Sequence, residues 1–174
     1  MKRFHSCLLA LIGALSVGCG PSTKVTTSAD GSTTTVTTPD GKTTTVRTQG
    51  NESQLTITGA DGSTVQVANG DEGLKVPSNF PKDVPVYAGA AVTTTATVQN
   101  TVTLVLKSPD AVGKVTSFYK EQLKTNEWTV EAAVETPDGS LLTGQKENRV
   151  LSTSIAKEDT GSLISITIET KKEQ

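Results

Sequence analysis

The sequence predicts an α+β fold: an antiparallel sheet of order β-β-α-β-β-β-β with one helix on one face, preceded by a Thr-rich β-meander or partly disordered repeat stalk. Three observations carry this expectation. Residues 108–128, SPDAVGKVTSFYKEQLKTNEW, hold the one convincing helical periodicity. Residues 91–107 and 128–170 alternate apolar and polar side chains. Residues 21–70 repeat Thr-rich runs between Asp-Gly turns at a spacing of about ten residues.

The chain begins with a basic pair, Lys2 and Arg3, followed by an apolar run from Cys7 to Val17 that is too short to span a bilayer. Residues 1–18 therefore read as a secretory signal. Leu15-Ser16-Val17-Gly18-Cys19 resembles the lipobox of bacterial lipoproteins, with Ser16 where Leu is more usual. That resemblance implies cleavage before Cys19, acylation of its sulfur and amino group, and a membrane anchor. In a diderm host Gly20 after the cysteine implies outer-membrane sorting, and in a monoderm host the anchor holds the outer face of the plasma membrane. The other reading is an ordinary signal peptide cut near Gly18 or Gly20, with Cys19 incidental.

Composition narrows the chemistry. The full chain has a net charge of −2, few aromatics, one histidine and two cysteines. Cleavage before Cys19 removes His5, Cys7, Lys2 and Arg3. The remaining chain is mildly acidic, without a nucleic-acid footprint. It lacks histidine and retains one cysteine, so imidazole catalysis, Ser–His–Asp or Cys nucleophiles, and the usual zinc, copper or haem ligation are not expected. We expect no catalytic residue, no metal and no cofactor.

Residues 19–70 form the Thr-rich spacer. Ala29-Asp30-Gly31, Pro39-Asp40-Gly41 and Ala60-Asp61-Gly62 are hairpin signals between runs such as STTTVTT and KTTTVRT. Val25, Val36, Val46, Leu55, Ile57, Val65 and Val67 are too few to fill a two-layer core, which predicts a thin sheet or a stalk, with disorder concentrated before Gly50. Thr rows resemble ice-binding surfaces and mucin-like stalks, but strand propensity on a solvated two-sided ribbon explains them more simply. Asp30, Asp40 and Asp61 offer one carboxylate per turn, poor calcium ligation, and read as turn formers.

Residues 71–85 form a linker in which Pro77, Pro81 and Pro85 favour extended chain. Leu74 and Phe80 are positioned to pin it to the next domain, residues 86–174. There strands are expected at Ala91–Gln99, Thr101–Lys107, Trp128–Glu135, Leu141–Gln145, Val150–Lys157 and Leu163–Thr170. In the helix, Ser108 reads as N-cap, Pro109 as the first helical residue and Asp110 as a first-turn charge. Ala111, Val112, Val115, Phe118, Tyr119 and Leu123 share one stripe, and Asn126 is expected to take the left-handed cap. Trp128, Val130, Ala132 and Val134 alternate toward one face, as do Ile164, Ile166 and Ile168.

VPSNFPKDVPVYAGA followed by SFYKEQLKTNEW resembles a small α+β domain that recurs in secreted and lipid-anchored bacterial proteins. Its marks are a Pro-Asp-Val-Pro entry, a strand pair and a helix with a Gly-Trp exit. Glu127 stands where that family places Gly. The resemblance covers about Pro77 to Thr170 and implies location and fold, not catalysis.

The remaining candidates are weak individually. Phe80, Tyr87, Tyr119 and Trp128 are candidate ligand-stacking or core aromatics. Asp83, Glu131, Glu135 and Glu169 are the carboxylates from which a glycosidase-like pair would be drawn. The function that fits best is a lipid-anchored cell-envelope protein presenting a non-catalytic binding or scaffolding domain. Its expected partners are the membrane, through acylated Cys19, and an envelope protein or polysaccharide, with no nucleic acid. A purely structural spacer lipoprotein is the alternative, and a carboxylate-based hydrolase the more remote one.

Overall fold

A computed structural model describes residues 22–70 and 73–172. The signal segment and Cys19 lie outside the described residues. Eleven strands form one antiparallel sheet: β1 (Lys24–Thr27), β2 (Thr33–Thr37), β3 (Thr43–Gln49), β4 (Glu52–Thr58), β5 (Thr64–Asn69), β6 (Ala91–Val98), β7 (Thr101–Ser108), β8 (Thr129–Thr136), β9 (Gly139–Lys146), β10 (Arg149–Lys157) and β11 (Ser162–Thr170). Among the described residues one helix, α1 (Val112–Thr125), interrupts them between β7 and β8. Their spatial order is β1-β2-β3-β4-β5-β6-β7-β11-β10-β9-β8.

This architecture corrects the expected α+β fold with its β-β-α-β-β-β-β sheet behind a separate meander or stalk. The molecule is β-rich, and the Thr-rich repeats are strands of the same sheet. The joint is β5 to β6, where Val65 pairs Val98 and Asn69 pairs Thr94. A free β6 edge would expose a row of unpaired N–H and C=O groups, and β5 satisfies them. The segment before Gly50, expected to be the poorest in order, forms β1–β3.

Cross-strand partners point to the same side, so the registers assign every side chain to a face. One face of β7, β11, β10 and β9 carries Val102, Leu104, Leu106, Ile164, Ile166, Ile168, Leu151, Ile155 and Leu142, all buried. Two elements cover it. Helix α1 lies over β8–β10 and inserts Val112, Val115, Tyr119 and Leu123. Beside the helix runs a strap, residues 73–90, which drives Phe80, Val84 and Tyr87 into the same core. Its start is tied down by Leu74 N–H on the Val92 carbonyl at 2.7 Å. The expected linker is thus part of the covering layer.

In β1–β6 the pattern inverts. Val25, Val36, Val46, Leu55, Ile57, Val65, Val67, Ala96 and Val98 all fall on the opposite, open face. The helix-side face of these strands carries Thr, Gln, Lys24, Arg47, Glu52 and Ala68, and beyond the β6 irregularity Val92, which joins the core. The ribbon is therefore two-faced, unlike the evenly solvated ribbon that strand propensity alone would give.

The helix begins later than the sequence indicates. Ser108 stays in the ladder as the partner of Ser162, and Pro109 occupies the corner. Ala111 is the N-cap, without a side-chain cap bond. Asp110 lies outside the first turn yet accepts from Lys114 at 2.9 Å and from the Tyr87 hydroxyl at 2.8 Å. At the other end Asn126 has φ −90° and Glu127 takes the left-handed conformation at +62°. Trp128 N–H reaches the Leu123 carbonyl at 2.9 Å and Glu127 N–H that of Lys124 at 3.1 Å, a Schellman closure.

Strand β8 departs from its alternation as well. Its register shifts between Val130 and Ala132. Val130 pairs Gly144 on the helix side, whereas Val134 pairs Leu141 on the open side. Val134 is 57% exposed, so the Trp128-to-Val134 stripe is not a core stripe. A bulge on an edge strand twists it away from further pairing. Among the described residues no helix is long and apolar enough to cross a membrane.

Candidate functional site

The space between α1 and the sheet is filled. Tyr119, Leu123, Leu104, Leu142, Leu151 and Ile166 have no exposed surface, so this interface holds no ligand-sized cavity. Beyond the strap, where the apolar face ends, a groove of about 340 Å³ opens on the helix side of β4–β6. Its floor is drawn from two cross-strand rows, Gln54–Ala68–Thr95 and Gln66–Thr97. Its wall is the strap, through Leu74, Lys75, Pro77, Ser78 and Asn79. Asn79 Nδ2 approaches the Thr97 hydroxyl at 3.4 Å and joins wall to floor. A shallower extension, about 180 Å³, continues past Gln54 and Leu74 to Arg47, Gln49 and Glu52.

The groove presents amides and hydroxyls with two cations and one carboxylate. Gln54, Gln66 and Asn79 are exposed there, and each amide both donates and accepts. Such a lining suits a polar, hydrogen-bonding ligand with acidic groups within reach of Arg47 or Lys75. Sequence reasoning missed these residues. The available signal was Gln54 and Gln66 at polar positions of strands otherwise built from Thr and Val.

None of the four candidate aromatics lines the groove. Phe80, Tyr87, Tyr119 and Trp128 are all buried in the core. Tyr87 meets Phe118 edge-on at 4.9 Å between centroids, and Phe118 meets Tyr119 at 5.2 Å. Trp128 donates from Nε1 to the Asp83 carbonyl at 3.3 Å and carries the Arg149 guanidinium over its ring at 5.1 Å.

The four candidate carboxylates do not converge. Asp83 is held by both guanidinium nitrogens of Arg149 and by Lys146 at 3.2 Å. The Arg149 hydrogen bonds, against the opposing effect of burial, lower its pKa to about 2. Glu135 faces the helix and pairs with Lys120. Glu131 sits at the β8 bulge, and Glu169 lies on the open face opposite Val150. Asp30, Asp40 and Asp61 serve the hairpin turns. Asp30 accepts Ser32 N–H and Asp61 accepts Ser63 N–H, each at 3.0 Å, while Asp40 accepts from the Thr38 hydroxyl. Hydroxyl hydrogen bonds from Ser28, Thr38 and Ser63 hold these three carboxyls below the usual range. A general acid needs the reverse shift. Among the described residues no cluster of three His, Cys, Asp or Glu is arranged to hold a metal.

A family model described as START domain-like matches residues 90–162, from the start of β6 to the start of β11. The match is compatible with a small ligand-binding domain and with a binding rather than catalytic role. No curated protein and no solved structure matches the chain.

Proposed function

We propose that the chain is a lipid-anchored cell-envelope protein, acylated at Cys19, that presents a non-catalytic binding module to the envelope. The observation that carries the binding role is the strap-walled groove, whose floor residues Thr95 and Thr97 lie inside the START domain-like segment. The lipobox-like Leu15–Cys19 supports the anchor. Acylation at Cys19 supplies more than one chain, enough for stable attachment. The ligand class that suits the lining is an extended, polar envelope polysaccharide.

Two measurements test the two halves of this reading. Wild type and Cys19→Ser are compared by membrane fractionation and intact mass. The expected result is a membrane-bound protein with added acyl mass that becomes soluble and unacylated in the variant; two soluble, unacylated proteins overturn the anchor. Binding is measured by calorimetry with a neutral N-acetylglucosamine oligomer and an acidic uronate oligomer. Binding that is lost in the Gln54→Ala/Gln66→Ala double variant supports the groove. No binding to either oligomer, or binding that survives the double variant, overturns it.

A further inference from the structure

We propose that the open face of β1–β6 is the interface of a face-to-face homodimer. The observation is the segregation of the ribbon's aliphatic side chains. Val25, Val36, Val46, Leu55, Val67 and Val98 stand in adjacent cross-strand rows on the side away from the helix and strap. Val25, Val46 and Val98 are 62%, 44% and 43% exposed. A sheet face patterned in this way is the inner face of a sandwich, lacking its second layer.

Size and charge point to a second copy as that layer. Six strands about 4.8 Å apart and about 17 Å long project an area of about 500 Å². Side-chain relief raises the accessible area toward the about 800 Å² per partner that a stable dimer buries. The registers place no charged residue on the open side of β1–β6; Lys24 and Arg47 point to the other face. Two copies related by a two-fold axis therefore bring no like charges of these strands together. The absence of Lys and Arg also removes the attraction by which an anionic lipid surface holds an amphipathic face. The apolar rows stop at β7, where Thr101 and Thr103 succeed Val98 and Ala96, giving the patch a polar rim.

The test is sedimentation equilibrium of the purified full chain in density-matched detergent, over a micromolar concentration series. The variants are Val46→Lys and Val98→Lys, whose sites are exposed enough to solvate a charge in the monomer, and Gln66→Lys on the opposite face as control. Circular dichroism and thermal unfolding establish that each variant is folded. The expected result is twice the chain mass for wild type and Gln66→Lys, with dimerisation weakened at least tenfold in both valine variants. A monomeric wild type overturns the proposal, as does a dimer indifferent to both valine variants, which would pair through a sheet edge. Flotation of a monomeric wild type with neutral-lipid vesicles, lost in Val46→Lys, would assign the face to lipid and overturn it equally.

Discussion

Arg149 grips both carboxylate oxygens of Asp83, at 2.7 and 2.8 Å, and so fastens the strap to β10 across 66 residues of chain. The pair does not stand alone. Lys146 adds a contact to Asp83 at 3.2 Å and donates to the Asn126 carbonyl at 2.9 Å, at the end of α1. The same guanidinium lies over Trp128, whose indole N–H is bonded to the Asp83 backbone. Strap, helix exit and sheet thus share one polar joint. Asp83 at the end of the strap and Trp128 at the helix exit are two sides of this joint.

Stability should consequently contain a component that disappears in acid. The folded-state pKa of Asp83, about 2, lies below its ordinary 3.8. The stabilisation is therefore complete above about pH 4 and is lost as pH falls toward 2. The pair keeps partial solvent contact, which discounts its contribution to about 1–2 kcal/mol. Asp83→Asn should lower the urea midpoint at pH 7, and its deficit against wild type should shrink between pH 4 and 2. A deficit that does not change with pH would show that the carboxylate's charge is not what holds the strap.

Glu127 occupies a left-handed position that glycine adopts without steric cost. Glu127→Gly should raise stability by up to about 1 kcal/mol, since relief of native strain exceeds the added freedom of the unfolded chain. Its carboxylate contact to Lys146, at 3.9 Å with the Glu127 side chain 87% exposed, is a weak opposing loss. Glu127→Ala separates the two effects, because it removes the charge and keeps the strain. Urea unfolding should place Gly above wild type and Ala level with it or slightly below.

Legibility in the sequence followed the range of the interactions. Ile164, Ile166 and Ile168 alternate within one strand, and they are buried as their spacing indicates. The α1 stripe is local too, although Thr116 escaped it: its hydroxyl is buried between the Val112 carbonyl at 2.8 Å and the Ser140 hydroxyl at 2.7 Å. What the chain does not display locally is relative parity. The apolar residues of β1–β6 and those of β7 alternate equally well, and only the pairing at β5–β6 and β6–β7, with its shift between Val92 and Thr94, puts them on opposite faces. The β8 bulge flips Val134 for the same reason. The groove follows from that parity and from the strap, so neither its floor nor its wall could be read from one segment.

Tyr119 is fully buried, and its hydroxyl makes no hydrogen bond of good geometry among the described residues; the Tyr87 backbone influences it without satisfying it. Burial also pushes its pKa upward, in keeping with a phenol that cannot ionise where it sits. An unsatisfied buried hydroxyl costs about 1–3 kcal/mol, and the ring supplies the packing. Tyr119→Phe should therefore be neutral or stabilising by up to about 2 kcal/mol. Tyr119→Ala should lose about 3–5 kcal/mol through the cavity it leaves. A Phe variant clearly less stable than wild type would mean that the hydroxyl is satisfied in solution, by a buried water.

Gly161 sits where the β10–β11 turn meets the corner leading into α1. A Cβ there would lie 2.0 Å from the Ser108 carbonyl oxygen and 2.8 Å from Pro109 backbone atoms, and φ is +96°. Both neighbours are backbone, so no rotamer change relieves the clash. The corner is also held by the Ser162 hydroxyl on the Asp110 carbonyl at 2.8 Å and by the Ser108–Ser162 pairing. Gly161→Ala should cost about 3 kcal/mol or more, combining steric overlap with a disfavoured backbone conformation. The damage should spread in one direction: hydrogen exchange should quicken at the ends of β7 and β11 and in the first turn of α1. The distant β1–β4 hairpins should keep their protection. Gly113→Ala is the matched control, since its Cβ meets nothing within 4 Å at a helical position. That variant should gain up to about 1 kcal/mol. If Gly161→Ala were as well tolerated as Gly113→Ala, the corner would be free to open, and the tight junction between strand, turn and helix would not be what sets the start of α1.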